Sequence, residues 1–214
     1  MTILVAFKFE KGVILTADRK RSDITSSGEN KGAFTSVNKV QQVHPHMVIA
    51  TAGLGLGQAI VDVITGIINN NESITVPETL LVVKEAFHFN YNLFKKANPT
   101  ISYLSLVALI GGYDIEQKES YLYFLSADNG FELTKIEGNF FSIGPGEEII
   151  KKEVTENISF NKGYVDIIKT FSAAIRKVDS DDVSKDTFSI VSFYEDGYKT
   201  GSFEINENGE CIGR

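Results

Sequence analysis

The sequence predicts an α+β fold, a four-layer αββα sandwich of two mainly antiparallel sheets with a helix pair on each outer face. Three observations carry this. Strand-like and helix-like segments alternate in blocks: strands, two helices, strands, two helices, strands. Adjacent strand-like runs are joined by short turns, which indicates antiparallel pairing, and segregated helix pairs indicate helices lying on sheet faces. The first two strands are apolar on both faces, so both faces need cover.

The elements follow in order. Residues 2–9 are dense in β-branched and aromatic side chains, Glu10-Lys11-Gly12 makes a turn, and residues 13–17 form a second apolar strand. From Arg19 to Asn38 the chain turns polar and glycine-bearing, and residues 26–32 are expected as a hairpin tip or loop. Residues 39–43 and 47–52 are two more strands, joined through His44-Pro45-His46. Ala59, Ile60, Val63, Ile64, Ile67 and Ile68 recur at helical steps and are read as one face of a helix that Asn69-Asn70-Asn71 closes. Thr75, Pro77 and Glu78 open a second helix in which Leu80, Val83, Phe87, Tyr91 and Phe94 share a face. Strands return at residues 104–110, 121–125, 131–135 and 139–143, with Asp128-Asn129-Gly130 a turn signal. A third helix starts at Glu147, and a fourth carries Tyr164, Ile168, Phe171, Ile175 and Val178 on one stripe. Residues 187–193 and 198–205 close the pattern as a hairpin around Glu195-Asp196-Gly197. No repeat, low-complexity tract or linker divides the chain, so residues 1–214 are read as one domain.

Composition bounds the function. With 43% hydrophobic and 23% charged residues, the chain is neither disordered nor a disulfide scaffold. A net charge of −7 argues against nucleic acid or anionic membrane as the main partner. No apolar run approaches the roughly 20 residues of a spanning helix. The lone Cys211 cannot pair internally, so a reducing, cytoplasmic setting is expected.

Several motifs read blandly. Gly53-Leu54-Gly55-Leu56-Gly57 fits neither phosphate-loop spacing and is expected as a tight strand-to-helix turn. His44 and His46 lack companion ligands and are expected in a solvated turn, so neither metal nor cofactor is anticipated. Cys211 has no neighbouring histidine to make it a nucleophile.

Chemistry concentrates at the beginning of the chain. Removal of Met1, which the small Thr2 permits, would expose a hydroxyl and a free α-amine on one residue. An α-amine titrates near 7.7–8.0, roughly where a general base for a hydroxyl nucleophile is needed. A retained Met1 would make that nitrogen an amide and abolish its basicity.

Residues 2–18, Thr-Ile-Leu-Val-Ala-Phe-Lys-Phe-Glu-Lys-Gly-Val-Ile-Leu-Thr-Ala-Asp, closely resemble the start of mature proteasome β-type subunits, a family that includes the bacterial HslV peptidase. The ungapped register puts the family's nucleophile on Thr2 and its conserved acid on Asp18. Val37-Asn38-Lys39-Val40 is similar to the segment that carries the catalytic lysine, after a loop about five residues longer than the family's. The oxyanion glycine falls on Gly53. Gly111-Gly112-Tyr113-Asp114, Ser142-Ile143-Gly144-Pro145-Gly146 and the Asp179 region resemble later family segments.

The resemblance implies an N-terminal-nucleophile hydrolase fold and a threonine peptidase. Thr2 would attack a peptide carbonyl, Lys39 held by Asp18 would stabilise the alkoxide, Gly53 N–H would hold the oxyanion, and Asp179 would complete the catalytic set. A substrate strand would lie along Lys20, Arg21, Ser22, Gly53 and Gly55, with Arg21, Val37, Gln41 and Thr51 shaping a side-chain pocket. It further implies a homo-oligomeric ring acting on peptide or unfolded protein, with an ATP-dependent unfoldase as a candidate partner. Two positions depart from the pattern. Pro145 stands where the family has a serine supporting the terminal amine, and Asp182 replaces a second serine. A non-catalytic proteasome-like assembly or binding protein, and an amide hydrolase acting on a small molecule, remain as alternatives.

Overall fold

A computed structural model describes residues 2–24, 30–71, 74–101, 105–157, 164–178, 180, 184, 187–194, 197–205 and 210–213. Its strands are β1 (Leu4–Phe9), β2 (Gly12–Asp18), β3 (Lys20–Ile24), β4 (Asn30–Ser36), β5 (Val40–His44), β6 (Met47–Gly53), β7 (Leu106–Asp114), β8 (Glu119–Ser126), β9 (Thr134–Lys135), β10 (Phe140–Ile143), β11 (Thr187–Tyr194), β12 (Gly197–Ile205) and β13 (Cys211–Gly213). The helices are α1 (Leu56–Asn69), α2 (Val76–Ala97), α3 (Glu147–Asn157) and α4 (Tyr164–Arg176). One sheet runs β10-β1-β2-β11-β12-β13, the second β5-β6-β7-β8-β9, and β3-β4 form a separate ribbon. Every pairing is antiparallel.

Side-chain alternation along the strands builds the layers. Leu4, Ala6, Val13, Leu15 and Ala17 of the first sheet meet Val40, Val48, Ala50, Leu109 and Leu122 of the second between the sheets. Their neighbours Ile3, Val5, Phe7 and Ile14 face outward onto Ile150 and Val154 of α3 and Ile168, Phe171 and Ile175 of α4. On the opposite side Met47, Ile49, Ala108 and Ile110 pack against Ile60, Ile64, Val83 and Phe87 of α1 and α2. The four-layer αββα sandwich is therefore the fold, and β1 and β2 carry apolar residues on both faces because both faces are covered.

The local reading differs from the structure at several points. The polar stretch after Arg19 contains two paired strands, with Asn30-Lys31-Gly32 in β4; residues 25–29 of the expected tip lie outside the described residues. On α1 the buried row is Gly57, Ile60, Val61, Ile64 and Ile68, while Val63 and Ile67 are 50% and 41% exposed. The apolar residues of α1 span more than one side, and only the row over β5, β6 and β7 is covered.

The strand expected over residues 131–135 shrinks to β9, because Asp128-Asn129-Gly130 forms a 3-10 turn rather than a tight hairpin. Phe131 leaves the sheet to pack beneath α2, its ring centroid 5.7 Å from Phe87 and 5.2 Å from Tyr91. Cys211, expected in a polar tail, begins the edge strand β13. Among the described residues no helix is long and apolar enough to cross a membrane.

Candidate active site

Antiparallel pairing of β1 with β2 sets Leu4 opposite Ala17, which brings Thr2 and Ile3 beside Asp18 at one sheet end. There the Asp18 backbone N–H donates to Ile3 O at 3.2 Å. The Ile3 N–H in turn donates to Asp18 Oδ1 at 2.9 Å. Asp18 Oδ2 accepts from the backbone N–H of Lys20 at 3.0 Å and of Ser184 at 3.4 Å. Asp18 is fully buried, so these amides replace the water its carboxylate lost.

Lys39 supplies the counter-charge. It stands immediately before β5, and the Thr51 N–H donates to its carbonyl at 3.0 Å. Its Nζ donates to both carboxylate oxygens of Asp18 at 3.1 Å, to Thr2 Oγ1 at 3.0 Å and to the Lys20 carbonyl. At 8% exposure, burial pushes the Lys39 pKa below the ordinary lysine value, while the Asp18 charge and its hydrogen bond resist that fall. The ammonium group is fully engaged, and one of its acceptors is the Thr2 hydroxyl.

Gly53 ends β6 on the strand next to Lys39. Its φ is +93°, and a Cβ there would lie 2.1 Å from the Ser105 carbonyl oxygen, so no other residue fits. Gly144 shows the same constraint on the other side of the site. Its φ is +117°, and a Cβ would lie 2.2 Å from the Thr2 carbonyl oxygen. The turn after β10 thus rests directly on the Thr2 backbone.

Of the residues expected at the site, Thr2, Asp18 and Lys39 come into direct contact, and Gly53 lies at the adjoining strand end. Asp179 lies outside the described residues, as does Asp182. Lys20, Arg21 and Ser22 form the start of β3, whose base is fixed by Val37 N–H donating to Arg19 O at 2.8 Å. Thr51 is buried against Gly57, and Gly55 is the exposed residue preceding α1. Gln41 directs its amide onto α1, toward Asp62 and Thr65.

Three features escaped sequence reasoning: the Ser184 N–H on Asp18, the Gly144 contact with Thr2, and the polar groups of α1 around Gln41. Only the last left a signal, because Gln58, Asp62 and Thr65 recur at four- and three-residue steps along one helix flank. His44 is also not a solvated turn residue. It is half-buried, its Nδ1 accepts from the His46 N–H at 3.1 Å, and its Nε2 donates to Ile74 O at 3.1 Å.

Residues 2–192 match the model of the proteasome subunit family. The chain belongs to that family. No curated protein matches it. In this proteasome subunit the match spans both sheets through most of β11 and includes Thr2, Asp18, Lys39 and Gly53. Pro145 directly follows the glycine that touches Thr2, and proline offers neither a hydroxyl nor an N–H there.

Proposed function

We propose that this proteasome subunit is a threonine peptidase of the N-terminal-nucleophile type, active after cleavage of the Met1–Thr2 bond. The observation that carries the reading is the Lys39 ammonium shared between Thr2 Oγ1 and Asp18. An ammonium 3.0 Å from a hydroxyl oxygen stabilises the alkoxide more than the alcohol, which lowers the cost of making the nucleophile. An ammonium has no lone pair to take a proton, so the departing proton goes to another base, and the freed Thr2 amine is the nearest by connectivity.

Attack of Thr2 Oγ1 on a peptide carbonyl gives a tetrahedral oxyanion, for which the Gly53 N–H is the donor. On collapse the proton taken up by the Thr2 amine passes to the leaving nitrogen, and the C–N bond breaks to release the amine product. An ester remains on Thr2, and water then hydrolyses that ester to a carboxylic acid and restores the Thr2 hydroxyl. Removing a single oxyanion donor typically costs about 10²–10³ in rate, so the Gly53 backbone is a substantial part of the mechanism. Asp179 is assigned as a further member of the catalytic set by its family position. Family membership supports assembly into a homo-oligomeric ring, which would enclose the sites and limit them to extended or unfolded polypeptide.

The test is intact mass of the purified chain, followed by hydrolysis of fluorogenic peptides. Loss of Met1 together with turnover that Thr2→Ala abolishes is the expected result. A chain that has lost Met1 and still cleaves nothing is a non-catalytic member of the family.

A further inference from the structure

Backbone amides from separate parts of the chain converge on the buried Asp18 carboxylate. Ile3 N–H donates to Oδ1, while Lys20 N–H and Ser184 N–H donate to Oδ2. Strand geometry accounts for the first two. Pairing of β1 with β2 sets Ile3 beside Asp18, and Lys20 opens β3 with its carbonyl on Lys39 Nζ. Ser184 belongs to neither α4 nor β11, so no helix or sheet ladder holds its amide in place. At 3.4 Å its contact is the longest of the three and the most sensitive to slack.

The Ser184 side chain supplies the missing anchor. Its Oγ accepts from the Thr187 N–H at 3.0 Å and shares a hydrogen with Thr187 Oγ1 at 2.7 Å. Thr187 is the first residue of β11, and its carbonyl accepts from the N–H of Arg19, the residue after Asp18, at 3.2 Å. The next residue, Phe188, lies opposite Asp18 in the register of β2 and β11. Ser184 is thus clasped to a strand end that is itself fastened to the end of β2. A serine hydroxyl bonded to nearby backbone fixes a segment that regular structure leaves unrestrained.

The consequence reaches the nucleophile through the carboxylate. Lys39 Nζ donates to both Asp18 oxygens at 3.1 Å and to Thr2 Oγ1 at 3.0 Å, so its place follows the pose of Asp18. Ile3 and Ser184 hold opposite oxygens, which restrains the rotation of the carboxylate as well as its location. Releasing Ser184 frees that rotation and lets the ammonium drift from the Thr2 hydroxyl. Misplacing a catalytic group by about 1 Å can cost on the order of 10²-fold in rate.

We propose that Ser184 is a positioning residue for the Thr2 nucleophile, its hydroxyl holding the amide that steadies Asp18 and, through Asp18, Lys39. The kinetic half of the test rests on the peptidase reading, and the spectroscopic half does not.

Substitution cannot delete a backbone N–H, so the variants act on the clasp. Ser184→Ala removes it, Ser184→Thr keeps the hydroxyl, and Thr187→Val keeps the Thr187 N–H but loses its hydroxyl. Threonine methyl groups are labelled with carbon-13, and the Thr2 signal is identified by its disappearance in Thr2→Ser. Ser184→Ala is expected to shift the Thr2 methyl signal and to lower kcat on fluorogenic peptides about tenfold at unchanged KM. Ser184→Thr should restore both, and Thr187→Val should fall between. Should Ser184→Ala fail to fold, Thr187→Val carries the same readout at smaller amplitude.

A purely structural role would lower Tm and leave the Thr2 signal where it is. An unmoved signal in Ser184→Ala, or in Thr187→Val where only that variant folds, therefore overturns the proposal. So does a loss confined to KM, or no recovery in Ser184→Thr. A Thr2 signal that shifts in a chain that cleaves nothing defeats the peptidase and leaves the positioning role standing. Hydrolysis with an unmoved signal and unchanged kcat does the reverse.

Discussion

Lys39 Nζ lies 3.1 Å from both carboxylate oxygens of Asp18, and the two side chains are 8% and 0% exposed. A buried pair of this kind is costly to break from one side, because the surviving charge keeps its burial and loses its partner. Lys39→Met is therefore expected to destabilise the fold by about 3 kcal/mol. Adding Asp18→Asn should return much of that loss, since neither charge then remains. Urea unfolding of the single and double variants measures the coupling, and strictly additive losses would show that the pair does not act as a unit.

The same lysine sets an alkaline limit on activity. The mechanism needs its ammonium form, which is populated below its pKa and lost above it. Burial lowers that pKa from the ordinary lysine value, so the decline begins at a lower pH than an exposed lysine would give. The Thr2 amine must be unprotonated to act as base, which produces an acid limb around pH 8. A bell-shaped profile of kcat/KM is expected, with circular dichroism showing the protein folded throughout. A rate that stays level up to pH 10.5 would mean that the cation is not required.

The layer order was legible because β1 and β2 bury both faces, and a doubly covered strand places apolar residues at successive positions rather than at alternate ones. The sequence also placed Thr2, Asp18 and Lys39 at matching family positions, since strand register converts spacing into proximity. What it could not show lies in the backbone and in the choice of face. The Ser184 amide on Asp18 comes from a residue 166 positions along the chain, and an N–H carries no side-chain signature. On α1, hydrophobicity alone could not separate the covered row of Ile60 and Ile64 from the exposed row of Val63 and Ile67, because both recur at helical spacing. The shortened β9 reflects Phe131 finding a better apolar site beneath α2 than on the sheet.

Gly53 and Gly144 bracket the site, and each is closed to any side chain by a backbone carbonyl. Gly53→Ala would force a Cβ against Ser105 O and Gly144→Ala against Thr2 O, each from a left-handed backbone. Positive φ alone costs about 1–3 kcal/mol for a non-glycine residue, and relieving the clash must move the strand end as well. Both variants should lose at least 100-fold in kcat/KM, out of proportion to a fall of a few degrees in Tm. Gly130→Ala is the control, because that glycine also has positive φ but a Cβ there meets nothing within 4 Å. It should lower Tm through strain while leaving hydrolysis intact.

His44 predicts a pH dependence of stability remote from the chemistry. Its Nδ1 accepts from the His46 N–H, so the folded protein holds the ring neutral, with the proton on Nε2 facing Ile74 O. Burial lowers its pKa from the usual histidine value, and the neighbouring His46 adds to that, against the pull of the Ile74 carbonyl. Between the lowered folded value and the unfolded one near 6.5, the unfolded chain binds more protons. The stabilisation is thus fully present above the unfolded pKa and is lost as pH falls through that window. Tm should decline from pH 7.5 to pH 5, and His44→Asn, whose side chain does not titrate, should flatten the part of the decline that belongs to this turn. An unchanged slope in that variant would assign the pH dependence to other groups.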